Sequence, residues 1–325
     1  MNTVIRAFDE STLADAKQVV SDMFSPKECS LLDKMLGNPL RKEIGEASAG
    51  EVVYQDNRPV AFQGAILRRL YLGQEPMVGI VGSTLAAKRD TSPVMLMRLM
   101  RATIAPRAVS RIFFANTANA TSQKMNRLLG VKGIGPATCE RIRVAFTYVP
   151  QWLSWLCPRP HARRLMSIDG KVFDDFWSRY LASNNGIVSS RSSKELAWMF
   201  GDRLASGEVV FLGEFIGDAL VGYIALRSSC GGTRWLIVDW IAIGNDVTKL
   251  ESLLQSAVRF LRRTRGAVFL KTIGFPDFAE PIIRKHLRFS RKTPNNSFLW
   301  KFLGEEKEIT ATSWFFGPYD GDRCL

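Results

Sequence analysis

The chain has 325 residues, of which 46% are hydrophobic and 23% charged, an ordinary globular balance that excludes a largely disordered chain. No apolar run reaches the roughly 18 residues that span a bilayer, and the opening MNTVIRAFDESTL carries acids where a secretory leader needs bases, so a cytoplasmic protein is expected. The net charge of +13 divides into +7 for residues 1–150, +2 for 151–170 and +4 for 171–325, a spread that suits anionic small ligands better than a nucleic-acid arm.

In chain order, Ser25-Pro26 reads as a cap and first-turn proline opening a helix through Met35. Residues 50–55 and 59–72 read as a hairpin around Asp56-Asn57, and 77–87 as a third strand. Ser92-Pro93 caps a second helix with apolar Val94, Leu96, Met97, Leu99 and Met100. A strand at 111–115, a helix at 121–129 stopped by Gly130, and a strand at 141–149 follow.

Residues 150–165, PQWLSWLCPRPHARRL, carry three prolines and read as a linker. Trp152 and Trp155 are expected to pack against a neighbouring domain; contact with a membrane surface is the alternative that tryptophan, leucine and arginine together allow.

Beyond the linker the order returns. Helices are expected at 172–181 and 193–204, strands at 208–215, 220–227 and 235–243, a long helix at 247–263, then a strand at 267–273, a helix at 279–286 and a strand at 297–302. Gly50-Glu51-Val52-Val53-Tyr54 reappears at Gly207-Glu208-Val209-Val210-Phe211, and the offset stays near that spacing through strand, helix and strand. The reading is α/β, two tandem domains at 1–150 and 171–325 joined by a Pro/Trp/Arg linker at 151–170, each a mixed, mostly antiparallel sheet flanked by helices.

Five separated cysteines and two histidines offer no zinc spacing, and no metal is expected. Asp239, flanked by apolar residues in mid-strand, is the candidate general base or acceptor-binding group; a structural acid paired with an arginine is the other reading. Asp320 and Asp322 beside Tyr319 could bind a metal or close an acceptor pocket, or form a simple turn. Arginine clusters at 259–265 and 284–292 fall at helix C-termini, where the macrodipole favours cations.

The run from Met77 through Met100, a strand feeding a basic loop and a helix, together with Asn119-Ala120-Thr121-Ser122 and Leu129-Gly130-Val131, resembles the GNAT superfamily of acyl-CoA-dependent N-acyltransferases. Against the family's R-x-x-G-x-G/A, this chain has Arg89, with Ser92 and Val94 at the glycine places. The resemblance implies two GNAT-like domains and an acyl thioester donor, acetyl-CoA or another acyl-CoA, held at Lys88, Arg89, Thr91, Ser92 and Asn119, where helix N–H groups face pyrophosphate. In the second half, Asp246 stands where phosphate would sit. The chain is also similar to acyltransferase-like proteins associated with bacterial polysaccharide assembly, which implies an amine or amino-sugar acceptor. A non-catalytic binding or scaffold protein, its basic surface meeting anionic lipid or, ranked lower, nucleic acid, is the alternative.

Overall fold

The computed structural model describes residues 2–105, 110–118, 120–131, 133–134, 141–273, 276–292, 297–303, 314–315 and 317–320. The chain folds as two mixed sheets flanked by helices.

The first sheet begins with β1 (Thr3–Ala7), β2 (Gly50–Gln55), β3 (Arg58–Leu72) and β4 (Glu75–Ala87), an antiparallel series, and β5 (Ser110–Ala118) joins β4 in parallel. The β2–β3 turn has Asp56 and Asn57 at φ 47° and 65°, the double left-handed conformation that keeps a two-residue hairpin in register. At the start of β2, Gly50 has φ 144°, and a Cβ there would lie 2.3 Å from the Gln63 carbonyl oxygen, which is why the Gly-Glu-Val-Val segment needs its glycine here.

Helices α1 (Leu13–Met23), α2 (Cys29–Leu36) and α3 (Pro39–Glu43) precede β2. The helix expected from Ser25 begins as a 3-10 turn at Pro26–Glu28 and becomes α-helical only at Cys29. β4 leads to α4 (Pro93–Ile104), and β5 to α5 (Ala120–Leu128).

The second sheet is assembled from β8 (Arg163–Leu165), β10 (Val209–Ile216), β11 (Ala219–Ser229), β12 (Arg234–Ala242) and β13 (Phe269–Ile273). Before β10 come α6 (Gly170–Ser183), β9 (Ile187–Ser189) and α7 (Ser193–Ala205). Between β12 and β13 lies α8 (Val247–Arg263), and α9 (Glu280–His286) follows β13. α8 buries Leu250, Leu253, Leu254, Ala257 and Leu261, a stripe at helical spacing. Each of those leucines contributes about 1.5–3 kcal/mol by leaving water.

The strands expected to close each half lie in the opposite sheet. β7 (Arg141–Phe146) pairs antiparallel with β13 and with β14 (Phe289–Lys292), whereas β15 (Ser297–Phe302) pairs with β5 and with β6 (Gly133–Ile134). β9 adds a further edge to the first sheet by pairing with β3, and β16 (Trp314–Phe315) runs parallel to β9. Neither sheet is therefore made from one half of the chain. One apolar core runs through both, from Phe8, Phe62 and Leu70 to Phe173, Phe211 and Tyr223. At that seam the Lys34 ammonium donates to the Met199 carbonyl and the Trp198 indole donates to the Lys34 carbonyl.

The linker departs from expectation. Gln151–Leu156 is a 3-10 helix with no buried residue, and Trp152 and Trp155 are 74% and 70% exposed rather than docked against a domain. The cause is polar: the Arg263 guanidinium at the end of α8 donates to the carbonyls of Ser154, Trp155 and Cys157. Those bonds hold the turn by its backbone and direct its indoles outward.

Candidate functional site

β4 and β5 run in parallel, but their ladder joins only Val78–Val81 to Ser110–Phe114. β4 continues to Ala87, while β5 continues to Ala118 with β15 as its partner on the other side. Past Val81 the ladder between the two strands ends. The loop from β4 into α4 lies beyond this end of the ladder, at the mouth of the slot proposed below for a donor.

At this mouth Ser92 is the N-cap of α4: its hydroxyl accepts from the Met95 N–H at 3.2 Å and its carbonyl from the Leu96 N–H at 3.1 Å. Such a cap contributes about 1 kcal/mol. Pro93 supplies the first turn with no N–H of its own. The Lys88 ammonium pairs with the Asp22 carboxylate at 3.4 Å, across a largely exposed contact that holds it weakly.

Thr91 is buried, and its hydroxyl donates inward to the Val60 carbonyl at 3.3 Å, so only its backbone lies toward the mouth. Arg89 is exposed, with no ion-pair partner among the described residues. Asn119 lies outside the described residues. The structure thus gathers Lys88, Arg89, Thr91 and Ser92 at one helix N-terminus, of which Arg89 is the cation most available to an anion.

The second sheet holds a counterpart. β12 and β13 pair only over Arg234–Leu236 and Phe269–Lys271, and beyond that β12 continues to Ala242. Here the N-cap of the following helix is Asp246, whose carboxylate accepts from the Thr248 and Lys249 N–H groups at 2.9 and 3.1 Å. The Lys249 ammonium, bonded to the same carboxylate, holds its pKa below the ordinary aspartate value. The end of α8 that would attract a phosphate is already neutralised by its own side chain.

Asp239 sits on β12 beyond its ladder with β13 and is fully buried. Its Oδ1 accepts from Arg191 Nη2 at 3.1 Å, and its Oδ2 from Arg191 Nε at 3.2 Å and from the Tyr223 hydroxyl at 2.6 Å. Of the two roles open to it from sequence, this geometry fits the structural acid paired with an arginine: both oxygens are engaged and no face meets solvent.

Arg191 also donates to the Ser189 carbonyl at 2.6 Å and lies 3.5 Å from the Asp320 carboxylate. Burial alone would lower the Arg191 pKa, but the Asp239 and Asp320 charges more than offset it and keep the guanidinium ionised. Asp320 and Tyr319, for which the sequence left open a metal or pocket motif or a simple turn, form a turn that locks the tail. The Tyr319 hydroxyl donates to the Ser190 carbonyl at 2.7 Å, the Gly317 N–H to the Asp320 carboxylate at 2.7 Å, and Arg68 to the Tyr319 carbonyl at 2.9 Å. Burial pushes the Asp320 carboxyl up. Asp322 lies outside the described residues.

One functional candidate escaped sequence reading. A cavity of about 160 Å³ between α3, β3 and the start of α7 is lined by Glu43, Arg69, Tyr71, Ser190, Lys194 and Glu195, among others. Arg69 bonds to Glu43 and lies 3.8 Å from Glu195, and Lys194 reaches Glu43 at 3.5 Å. Burial raises the Glu195 pKa, opposed by a hydrogen bond from Ser190 and by the nearby Arg68 and Arg69 charges. In sequence, Ser192 to Glu195 has the spacing of a helix-start capping box, which hides the carboxylate's second setting.

No family model matches the chain, and no curated protein matches it. Solved structures do. A probable N-acyltransferase of unknown function from Enterococcus faecalis aligns with 93% of this chain and 73% of its own, at 12% identity and TM-score 0.61. A GCN5-related N-acetyltransferase from Kribbella flavida aligns with 93% and 72%, at 11% identity and TM-score 0.61. The N-myristoyltransferase of Saccharomyces cerevisiae, solved with bound myristoyl-CoA, aligns with 92% and 79%, at 11% identity and TM-score 0.55. The fold of this chain is that of the GNAT-like acyltransferases. Among the described residues no group of ligands could hold a metal ion, and no helix is long and apolar enough to cross a membrane.

Proposed function

We propose that the protein is an acyl-CoA-dependent N-acyltransferase whose donor site is the slot between β4 and β5. The observation that carries this reading is the conjunction of a parallel strand pair whose ladder stops at Val81 with a helix N-terminus that bears a neutral serine cap and an exposed arginine with no ion-pair partner among the described residues. Acyl-CoA has an extended pantetheine arm that can pair with strand edges and a pyrophosphate that suits such a helix end. In this proposal Lys88, Arg89, the backbone at Thr91 and Ser92, and Asn119 hold the coenzyme, and the acyl group is acetyl or longer. GNAT-like structural neighbours support the donor class.

The acceptor in this reading is an amine, with an amino sugar of polysaccharide assembly the class that the sequence resemblance names. The charged hollow beside Glu43 and Glu195, open to solvent and about 160 Å³ in volume, offers carboxylates to such an acceptor. Asp239 serves as a structural acid rather than a base, because Arg191 and Tyr223 engage both its oxygens. The two halves of the chain are proposed to be copies of one unit that exchanged their closing strands, with the second copy's donor slot closed by Asp246. A binding protein without catalysis is the second reading, favoured by the inward turn of the Thr91 hydroxyl.

Isothermal titration with coenzyme A tests the choice. Saturable heat that weakens about ten- to a hundredfold in Arg89→Ala is expected for loss of a charge-assisted phosphate contact. No heat at millimolar ligand would overturn the enzymatic reading.

A further inference from the structure

The face formed by the linker and the ends of α8 and α9 takes no part in the proposed chemistry, yet it concentrates exposed apolar and cationic side chains. Trp152 and Trp155 stand three apart on a 3-10 helix, a spacing that superimposes them on one side. Leu156 beside them is 59% exposed. Immediately next to this ridge a cavity of about 260 Å³ is lined by Arg262, Arg263 and Arg265, together with Tyr148. A second, of about 470 Å³, shares Arg262 and adds Arg259, Lys285 and Arg288. Arg262, Arg265 and Arg288 have no salt-bridge partner among the described residues.

We propose that this face is a peripheral docking site for a bilayer bearing anionic phospholipid: the indoles and Leu156 enter the interface, and the arginine-lined hollows receive phosphate headgroups. Tryptophan with an aliphatic neighbour is the composition that the lipid interface selects, and an unpaired arginine gains from a negative leaflet. A single-stranded nucleic acid is the competing partner for a basic, aromatic surface, and it needs open aromatic faces for bases to stack on. Phe146 and Phe289 of the larger hollow engage each other edge to face at 5.1 Å, whereas the exposed Trp152, Trp155 and Tyr148 would serve either partner, and it is the exposed aliphatic Leu156 beside the indoles that favours lipid. Arg263 is spent on the linker carbonyls and fixes the ridge in place.

The full-length protein is sedimented with vesicles of phosphatidylcholine alone and of phosphatidylcholine mixed with phosphatidylglycerol, with brominated acyl chains to quench tryptophans that enter. Binding only to the anionic vesicles, with quenching, is expected. Trp152→Ser with Trp155→Ser should abolish the quenching, and each of Arg262→Glu and Arg265→Glu should weaken binding about fivefold or more. These side chains are exposed, so an unchanged melting temperature will show that the variants remain folded. Absence of vesicle binding, equal binding to neutral vesicles, or quenching that persists in the tryptophan variant would overturn the proposal. So would a single-stranded oligonucleotide that binds the same face more tightly than the vesicles do. None of these readouts uses coenzyme A, so the proposal stands or falls separately from the donor site.

Discussion

The two slots of this molecule differ in what occupies them. In the first sheet the parallel strands lead to a helix capped by Ser92, a neutral hydroxyl that leaves the positive end of α4 to act on an outside anion. In the second, α8 is capped by Asp246, β12 carries Asp239, and the tail at Tyr319 and Asp320 is pinned beside it. The same strand and helix scheme thus serves two ends: one mouth keeps its electrostatic potential, and the other has spent it on internal carboxylates. On the proposed function, charge at the two helix caps, rather than fold, decides which slot holds the phosphate-bearing ligand.

The largest effect expected from breaking this comparison is on stability. Asp239→Ala strands the buried Arg191 guanidinium and should cost about 3–5 kcal/mol, measured by urea unfolding, while folded protein keeps its affinity for coenzyme A. Equal loss of stability and affinity would mean that the second slot takes part in donor binding.

The comparison is sharpened by exchanging the caps. Ser92→Asp preserves the hydrogen bond to the helix end, so stability should move by less than about 1 kcal/mol, but it places a negative charge where pyrophosphate is proposed to sit. Affinity for coenzyme A should then fall at least as far as in Arg89→Ala.

A smaller effect is expected in the pH dependence. Glu195 is held above its ordinary pKa in the folded chain, first by burial, so between the unfolded and folded values the native state binds more protons. Stability must fall as pH rises through that window, and Glu195→Gln should flatten the slope. A slope unchanged in the variant would assign it to another group, such as Asp320, whose carboxyl is also raised by burial.

Much of the local structure was legible from periodicity and caps. The α8 limits at Val247 and Arg263, the β2–β3 hairpin and the Ser92 cap all follow from residue spacing and turn chemistry. Partner choice was not. β7 and β15 each read as the closing strand of its own half and pair in the other, because alternation along a strand specifies its faces and not its neighbour.

The short β9 and β16 carry too few residues to show a period, yet they bring Arg191 and Tyr319 to Asp239. Arg191 and Asp239 are 48 positions apart, so nothing local distinguished a buried ion pair from a raised catalytic carboxylate. The outward Trp152 and Trp155 follow from an arginine on α8 that reaches the linker's carbonyls, a contact no linker composition reveals.

The central claim, that the donor binds at the neutral mouth and not the acidic one, is tested most directly by a crystal structure of the protein with coenzyme A. The account places the pyrophosphate at the N-terminus of α4, within reach of Arg89 and Ser92. Density at α8 beside Asp246, or neither site filled at saturating coenzyme, would contradict it.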